Sequence, residues 1–175
     1  PLSHILERMA GLYIMVYCGA CIGYAESIET VAENLQEVRP TVMVSVPRLY
    51  EKMYARIMDT ASTGGGFKTQ LFFWARRVGL EHARAELAGR RPAPATQIQF
   101  ALARKLVFSK VRQRTGGRLR FFVSGGAPLA KDIAEFFYAA GLPILEGYGL
   151  TESSPVIAVN TLTHLRLGSV GRPIP

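Results

Sequence analysis

Apolar and polar positions along this chain switch repeatedly between the period of a helix and that of a strand. From Ser27 to Val38 the apolar residues Ile28, Val31, Leu35 and Val38 recur at helical spacing among acids, which predicts an amphipathic helix. Arg39-Pro40 ends it, and the β-rich run Thr41–Val46 (T-V-M-V-S-V) predicts a buried strand. Pro47 stands where the next helix opens, a position at which its missing N–H costs least. That helix turns Leu49, Met53 and Ile57 inward and keeps Arg48, Glu51, Lys52 and Arg56 on its other faces. Lys68–Leu87 predicts a helix carrying Phe72, Phe73 and Trp74, and after a Pro/Ala-rich break at Arg91–Ala95 a basic helix runs from Gln97 to Arg114. Gly116-Gly117 closes that helix. Leu119–Val123 is the next strand. Lys131–Ala140 is a helix with Ile133, Phe136, Phe137 and Ala140 inward, stopped by Gly141. Ile144–Glu146 reads as a brief buried strand between Pro143 and Gly147. Strands that alternate with helices in this way predict an α/β fold of mostly parallel sheets flanked by helices.

The most apolar stretch, Met9–Ala25, lies between Arg8 and Glu26. At about 17 residues it is at the lower limit for crossing a bilayer. Gly11, Gly19 and Gly23 interrupt it, and Cys18–Tyr24 suits a strand, so a buried helix followed by a buried strand is the reading preferred over a membrane span. Ser3 is placed to cap the start of that helix, with Glu7 in its first turn.

Composition narrows the class. With 49% hydrophobic and 19% charged residues the chain can bury a sizeable core, and disorder is excluded. The net charge of +8 is unevenly placed, because more than half of the Lys and Arg fall between Arg76 and Arg120. Only Glu81 and Glu86 oppose them there. Such a block can meet a phosphorylated ligand or an anionic lipid surface, but it is more commonly the solvated face of helices. It has neither the aromatic interleaving nor the zinc-finger spacing of a nucleic-acid binder, so no nucleic-acid partner is expected. Cys18-Gly-Ala-Cys21 has the C-x-x-C spacing, yet no second pair exists to complete a zinc site, and two buried reduced thiols are expected. No secretory signal is visible near Pro1–Arg8, and a cytoplasmic location is expected. Pro1 is no initiator and the chain stops at Gly171-Arg172-Pro173-Ile174-Pro175, so a fragment is expected.

Candidate chemistry gathers at the ends of the last two predicted strands. Ser124-Gly125-Gly126-Ala127-Pro128 turns out of one, and Glu146-Gly147-Tyr148-Gly149-Leu150-Thr151-Glu152 succeeds the other. Glycines allow tight turns and close approach of a ligand to the backbone. An aromatic face, a hydroxyl and a carboxylate at the C-terminal end of a strand can serve a nucleotide, because ligands of open α/β sheets bind there. The plainer reading is a Gly-rich turn in which Thr151 or Ser153 caps the next element. If the two strands are parallel, both turns open on the same sheet edge, which favours a shared pocket. Elsewhere, T-G-G-G-F-K-T (63–69) lacks the G-K-[ST] signature of a phosphate loop, Ser124 is not in a nucleophile elbow, and the pair His4 and Glu7 has no third ligand.

These motifs also carry a family resemblance. S-G-G-A-P-L followed by E-G-Y-G-L-T-E-S-S-P, with L-G-S-V-G-R-P-I-P downstream, resembles the adenylate-forming superfamily of acyl-CoA synthetases, luciferases and peptide-synthetase adenylation domains. P-L-S-H-I-L-E-R and V-P-R-L-Y-E-K-M are similar to its long-chain fatty acid–CoA ligase branch. The resemblance covers essentially the whole chain. It implies that residues 1–175 form a central piece of a large N-terminal AMP-binding domain. The Ser/Thr/Gly-rich phosphate loop would precede Pro1, and a ribose-binding Asp and a small domain with a catalytic Lys would come after Pro175.

By the same resemblance, Gly125, Gly126, Ala127 and Pro128 would border adenine and Tyr148 would stack on it. Gly147 and Gly149 would line the boundary between nucleotide and acyl group, with Leu150 in the same nucleotide-binding run. Thr151 would hydrogen-bond phosphate, Glu152 would ligate magnesium, and His4 would lie beside the acyl carboxylate. The implied activity is ATP-dependent activation of a long-chain fatty acid to an acyl-adenylate, followed by transfer to coenzyme A. Two alternatives stand beside it. One is a fatty acyl-AMP ligase that passes its acyl group to a carrier protein. The other, resting on the Arg76–Arg120 block and the apolar Met9–Ala25 run, is a membrane-surface or interaction module without activity; for the ligase itself, peripheral contact with the inner face of a membrane is the accompanying expectation.

Overall fold

The computed structural model describes residues 3–174, so Pro1, Leu2 and Pro175, the outermost residues of the P-L-S-H and G-R-P-I-P runs, lie outside it. Its frame is a five-stranded sheet in the order β1 (Val42–Ser45), β2 (Phe121–Ser124), β3 (Ile144–Gly149), β4 (Val156–Val159), β5 (Arg172–Pro173). The first three strands are parallel, with Ser45 beside Ser124 and Ser124 beside Glu146. The last two run antiparallel to their neighbours. The sheet is therefore mixed where a mostly parallel one was expected. The reason is local: only residues 150–155 join β3 to β4, and so short a link can reverse a strand but cannot cross back to a parallel position.

Helices connect the parallel strands. α2 (Val31–Val38) precedes β1, and α3 (Pro47–Thr63) comes after it with Pro47 in the first helical position, as the sequence predicted. A long hairpin is formed by α4 (Gly66–Leu87) and the rod α5–α6 (Pro94–Ala103, then Ser109–Arg114), which is continuous through π-helical turns at Arg104–Phe108. α7 (Lys131–Ala139) joins β2 to β3. The core lies between this sheet and these helices. Ile133, Phe136, Phe137 and Ala140 are all buried, as their helical spacing required. Phe136 packs edge-on to Tyr54, Phe108 and Phe137, and Phe122 packs edge-on to Phe137. Tyr50 is fully buried against Phe122 and donates its hydroxyl to the Val123 carbonyl at 2.6 Å. Burial pushes that phenol far above its ordinary range. Arg84 of α4 donates twice to the buried Glu135 of α7, at 2.8 and 2.7 Å, and the Thr96 hydroxyl donates to Glu81 at 2.7 Å.

The N-terminal stretch departs from expectation. α1 comprises π-helical turns at Glu7–Tyr13 continuing into Ile14–Tyr17, but Cys18–Tyr24 forms no strand and both cysteines are exposed. Among the described residues β1 hydrogen-bonds only to β2, and Gly19 at φ +65° turns the chain out of an extended path. Tyr13, Ile14, Val16 and Tyr17 are consequently exposed. Among the described residues no helix is long and apolar enough to cross a membrane. Ser3 does not cap α1; instead His4 Nδ1 accepts the Leu6 N–H at 3.2 Å. The helix expected from Ser27 begins at Val31, because Ser27 and Thr30 hydrogen-bond each other in a turn that occupies the backbone before it.

Candidate nucleotide-binding edge

Because β1, β2 and β3 are parallel, their C-terminal ends share one edge, and the two glycine-containing segments meet there. Gly125 is the point of convergence. A Cβ built on it would lie 3.0 Å from the side chain of Leu6 and 3.7 Å from the Gly147 carbonyl, and its own N–H donates to the Ser45 carbonyl at 3.4 Å. The His4 segment, the 125–128 turn and the strand carrying Tyr148 are thus brought to one place. Gly126 sits at φ +85°, a conformation that disfavours a side chain and lets the turn leave the sheet at once.

The two glycines around Tyr148 differ in purpose. Both belong to β3, which continues to Gly149, whereas Gly147 was expected to end the strand. A Cβ at Gly149 would fall 2.6 Å from the Pro155 carbonyl carbon and 3.0 Å from Val156 Cα, with the Pro155 oxygen nearer still. The antiparallel partner strand therefore crosses directly over it, at an irregularity in the pairing between Tyr148 and Gly149. At Gly147 the nearest atom would be the Ala158 carbonyl oxygen at 3.6 Å, an ordinary contact. The protein itself needs glycine at 149 and leaves room at 147.

Beyond Gly149 a single 3-10 turn, Thr151–Ser153, closes at Ser154 with φ +63°. Ser153 holds it: its hydroxyl accepts the Leu150 N–H at 3.1 Å and lies 2.9 and 2.8 Å from the Leu150 and Pro155 carbonyls. Capping is thereby done by Ser153. The Thr151 hydroxyl and Glu152 carboxylate are exposed and have no hydrogen-bond or ion-pair partner among the described residues. Tyr148, three residues before Thr151 in the chain, is 48% exposed. No group of three His, Cys, Asp or Glu that could cage a metal occurs among the described residues. The one carboxylate at this turn fits a hard cation that takes its remaining ligands from phosphate oxygens and water, as magnesium does. His4 is exposed, and its hydrogen bond is the local one to Leu6.

Glu146 was given no role by sequence reasoning beyond ending an apolar run. It is buried at 7% exposure, accepts the Leu129 N–H at 3.4 Å, and burial raises its carboxyl above the ordinary glutamate value. An acid directly after Ile144-Leu145 in a buried strand was the available signal. Leu6 was equally unmarked. Two grooves of about 540 and 660 Å³ lie along α4 and include none of these residues. Five arginines, Arg76, Arg77, Arg84, Arg90 and Arg91, line the first, and all but Arg76 are exposed in keeping with a solvated basic face.

The AMP-binding enzyme family matches residues 1–175, and the chain belongs to that family. Among curated relatives it is 38% identical over 177 residues to long chain acyl-CoA synthetase 6, peroxisomal, of Arabidopsis thaliana, covering all of this chain and 24% of that protein. It is 34% identical over 176 residues to the long-chain-fatty-acid–CoA ligase ACSBG2 of Homo sapiens, covering 98% of this chain and 26% of that one. Apo MatB from Rhodopseudomonas palustris shares the fold, with a TM-score of 0.58 and 20% identity over all of this chain and 25% of its own. The chain spans less than a third of the length of the curated relatives it matches. Its α/β architecture with a mixed sheet resembles the fold of these enzymes.

Proposed function

We propose that this chain is the central part of the large domain of an AMP-forming long-chain fatty acid–CoA ligase, and that the shared edge of β2 and β3 is half of its nucleotide site. The observation that carries this reading is the convergence at Gly125, which sets the 125–128 turn against a strand ending in an exposed aromatic, hydroxyl and carboxylate. The family match and the fatty-acid ligases among the relatives support the choice of reaction.

In this reading the fatty-acid carboxylate attacks the α-phosphorus of ATP, the bond to the β-phosphate oxygen breaks, and pyrophosphate leaves with that electron pair. The acyl-adenylate then loses AMP as the thiolate of coenzyme A attacks its carbonyl carbon. Neither step asks these residues to move a proton. They must hold the nucleotide and neutralise charge on its phosphates. Tyr148 offers its ring face to adenine, with Gly125, Gly126, Ala127 and Pro128 at the ring's border. Gly147 leaves space where a side chain would crowd the ligand, and Gly149 lets β4 fix the strand below Tyr148. Leu150 carries the chain into the turn, from which the Thr151 hydroxyl donates to a phosphate oxygen. Glu152 would hold magnesium, which supplies Lewis-acid stabilisation of phosphate charge when bound. His4, with Nδ1 accepting from Leu6, keeps Nε2 protonated and free to face the acyl carboxylate.

The test uses the full-length enzyme. Pyrophosphate exchange into ATP should depend on a long-chain fatty acid, and free coenzyme A should be consumed as thioester forms. Exchange with fatty acids but no consumption of coenzyme A would instead assign an acyl-AMP ligase that serves a carrier protein. Absence of exchange with any fatty acid would overturn the proposal.

A further inference from the structure

α5 has two apolar sides, and among the described residues the fold covers one of them. Its sequence, P-A-T-Q-I-Q-F-A-L-A (94–103), holds no charged residue. The side toward α4 is fully used. There the Phe100 ring stacks on His82 with centroids 3.9 Å apart, the Thr96 hydroxyl donates to Glu81, and Ala103 and Val107 are buried. On the other side Ile98, Leu102 and Leu106 recur at every fourth position and form one stripe along the rod. They are 67%, 50% and 44% exposed. A helix that is apolar all round is ordinarily buried all round, so the bare stripe is fitted to a partner beyond the described residues.

The charge around the stripe selects that partner. Arg90 and Arg91 stand before α5, and Arg104, Lys105 and Lys110 come after it, all of them exposed. None of these has an ion-pair partner among the described residues. No Asp or Glu occurs from Leu87 to Lys131. An apolar stripe with uncompensated cations at both ends suits a helix that lies in the interface of an anionic bilayer. Acyl chains take up the apolar side chains there, and long Lys and Arg stems carry their charges to the headgroups. The two grooves along α4 do not include Ile98, Leu102 or Leu106. The stripe is a ridge, which a fluid lipid layer accommodates without a matching pocket. A second copy of the chain would set cations against cations, which disfavours self-association through this side. The exposed apolar residues of α1 supply the contrast. Tyr13, Ile14, Val16 and Tyr17 are bare as well, but no Lys or Arg lies between Arg8 and Arg39, whereas Glu26, Glu29, Glu33 and Glu37 do. Of the two exposed apolar runs, the α5–α6 rod is the one that carries the matching charge.

We infer that the outer side of the α5–α6 rod, centred on Ile98, Leu102 and Leu106 with cations at its two ends, is a docking surface for a bilayer containing anionic lipid. The inference goes beyond the proposed reaction and does not depend on it, since it holds whichever acid the enzyme activates.

The test is co-sedimentation of the full-length enzyme with phosphatidylglycerol–phosphatidylcholine vesicles and with vesicles of phosphatidylcholine alone. Two double variants are compared, Ile98→Gln with Leu102→Gln and Arg104→Gln with Lys105→Gln, and melting temperature and sedimentation velocity are measured beside them. The unaltered enzyme should bind the anionic vesicles and bind the neutral ones at least tenfold less well. Removing the apolar pair should weaken binding at least tenfold. Removing the cationic pair should weaken it roughly 25-fold, about fivefold per residue. Both variants should melt with the unaltered enzyme. No binding of the unaltered enzyme to anionic vesicles would overturn the inference, and so would equal binding by enzyme and variants. Unchanged vesicle binding with a lower melting temperature in the apolar variant would give the stripe to the enzyme's own remaining chain, also overturning it. So would a concentration-dependent dimer of the unaltered enzyme that the apolar variant abolishes, which would assign the stripe to a second copy.

Discussion

Gly149→Ala is the substitution whose consequence is most directly fixed by geometry. The added methyl would lie 2.6 Å from the Pro155 carbonyl carbon and 3.0 Å from Val156 Cα, and both are backbone atoms that no rotamer change can move aside. Restoring ordinary contacts of about 3.5 Å requires β3 and β4 to separate by more than about 1 Å, because the Pro155 oxygen is nearer still. Overpacking of this kind costs about 1–3 kcal/mol in stability. The same displacement carries Tyr148 and the Thr151–Ser153 turn with it. A shift of roughly 1 Å in a positioned site lowers the rate on the order of 100-fold. In pyrophosphate exchange by the full-length enzyme, Gly149→Ala should therefore lose about 100-fold in kcat/KM for ATP, equivalent to about 2.7 kcal/mol. Gly147→Ala supplies the contrast, because its methyl meets only ordinary protein contacts near 3.6 Å. It should melt within a degree or two of the unaltered protein, about what 0.5 kcal/mol produces. Any loss of exchange in Gly147→Ala then reports ligand crowding alone. Exchange and melting of Gly149→Ala both indistinguishable from the unaltered enzyme would refute the reasoning.

Two other outcomes stem from burial. Phe136→Ala removes a fully buried ring packed edge-on to Tyr54, Phe108 and Phe137, and should destabilise by about 3–5 kcal/mol in denaturant unfolding. Glu146 has its folded pKa raised above the ordinary value of 4.5, chiefly by burial. For such a group the favourable contribution is complete below the unfolded value and is lost as pH rises through the raised folded value. Glu146→Gln removes that loss, so its melting temperature relative to the unaltered protein should rise as pH is taken from below 4.5 toward neutrality, and a flat or opposite difference would be contrary to the assignment.

The sequence pattern was enough to locate α3, α4, α7 and the three parallel strands, because the helices bury one face each and the strands are short apolar runs bounded by turn residues. Phe136 and Phe137 are inward for the reason their spacing states. β4 and β5 escaped notice because their direction is set by the length of the 150–155 link and by pairing partners. Met9–Ala25 misled for the opposite reason: its apolar composition suggested burial, yet composition does not supply the surface that would cover it. At the site, the types and order of Tyr148, Thr151 and Glu152 were legible, as was the shared edge of the two turns. The distinct demands on Gly147 and Gly149 were not legible, since they depend on how closely β4 crosses each. The sequence offered Thr151 or Ser153 as the cap, and the structure assigns it to Ser153, whose hydroxyl serves the turn and leaves that of Thr151 exposed.

The central claim is that Glu152 acts at the phosphates of ATP, and Glu152→Ala in the full-length enzyme tests it most directly. Glu152 is exposed and has no ion-pair partner among the described residues, so melting should move no more than about 0.5 kcal/mol corresponds to. Fatty-acid-dependent pyrophosphate exchange should fall on the order of 100- to 1,000-fold, as expected when one stabilising interaction on developing phosphate charge is lost. Exchange by Glu152→Ala within a few-fold of the unaltered enzyme would contradict the account.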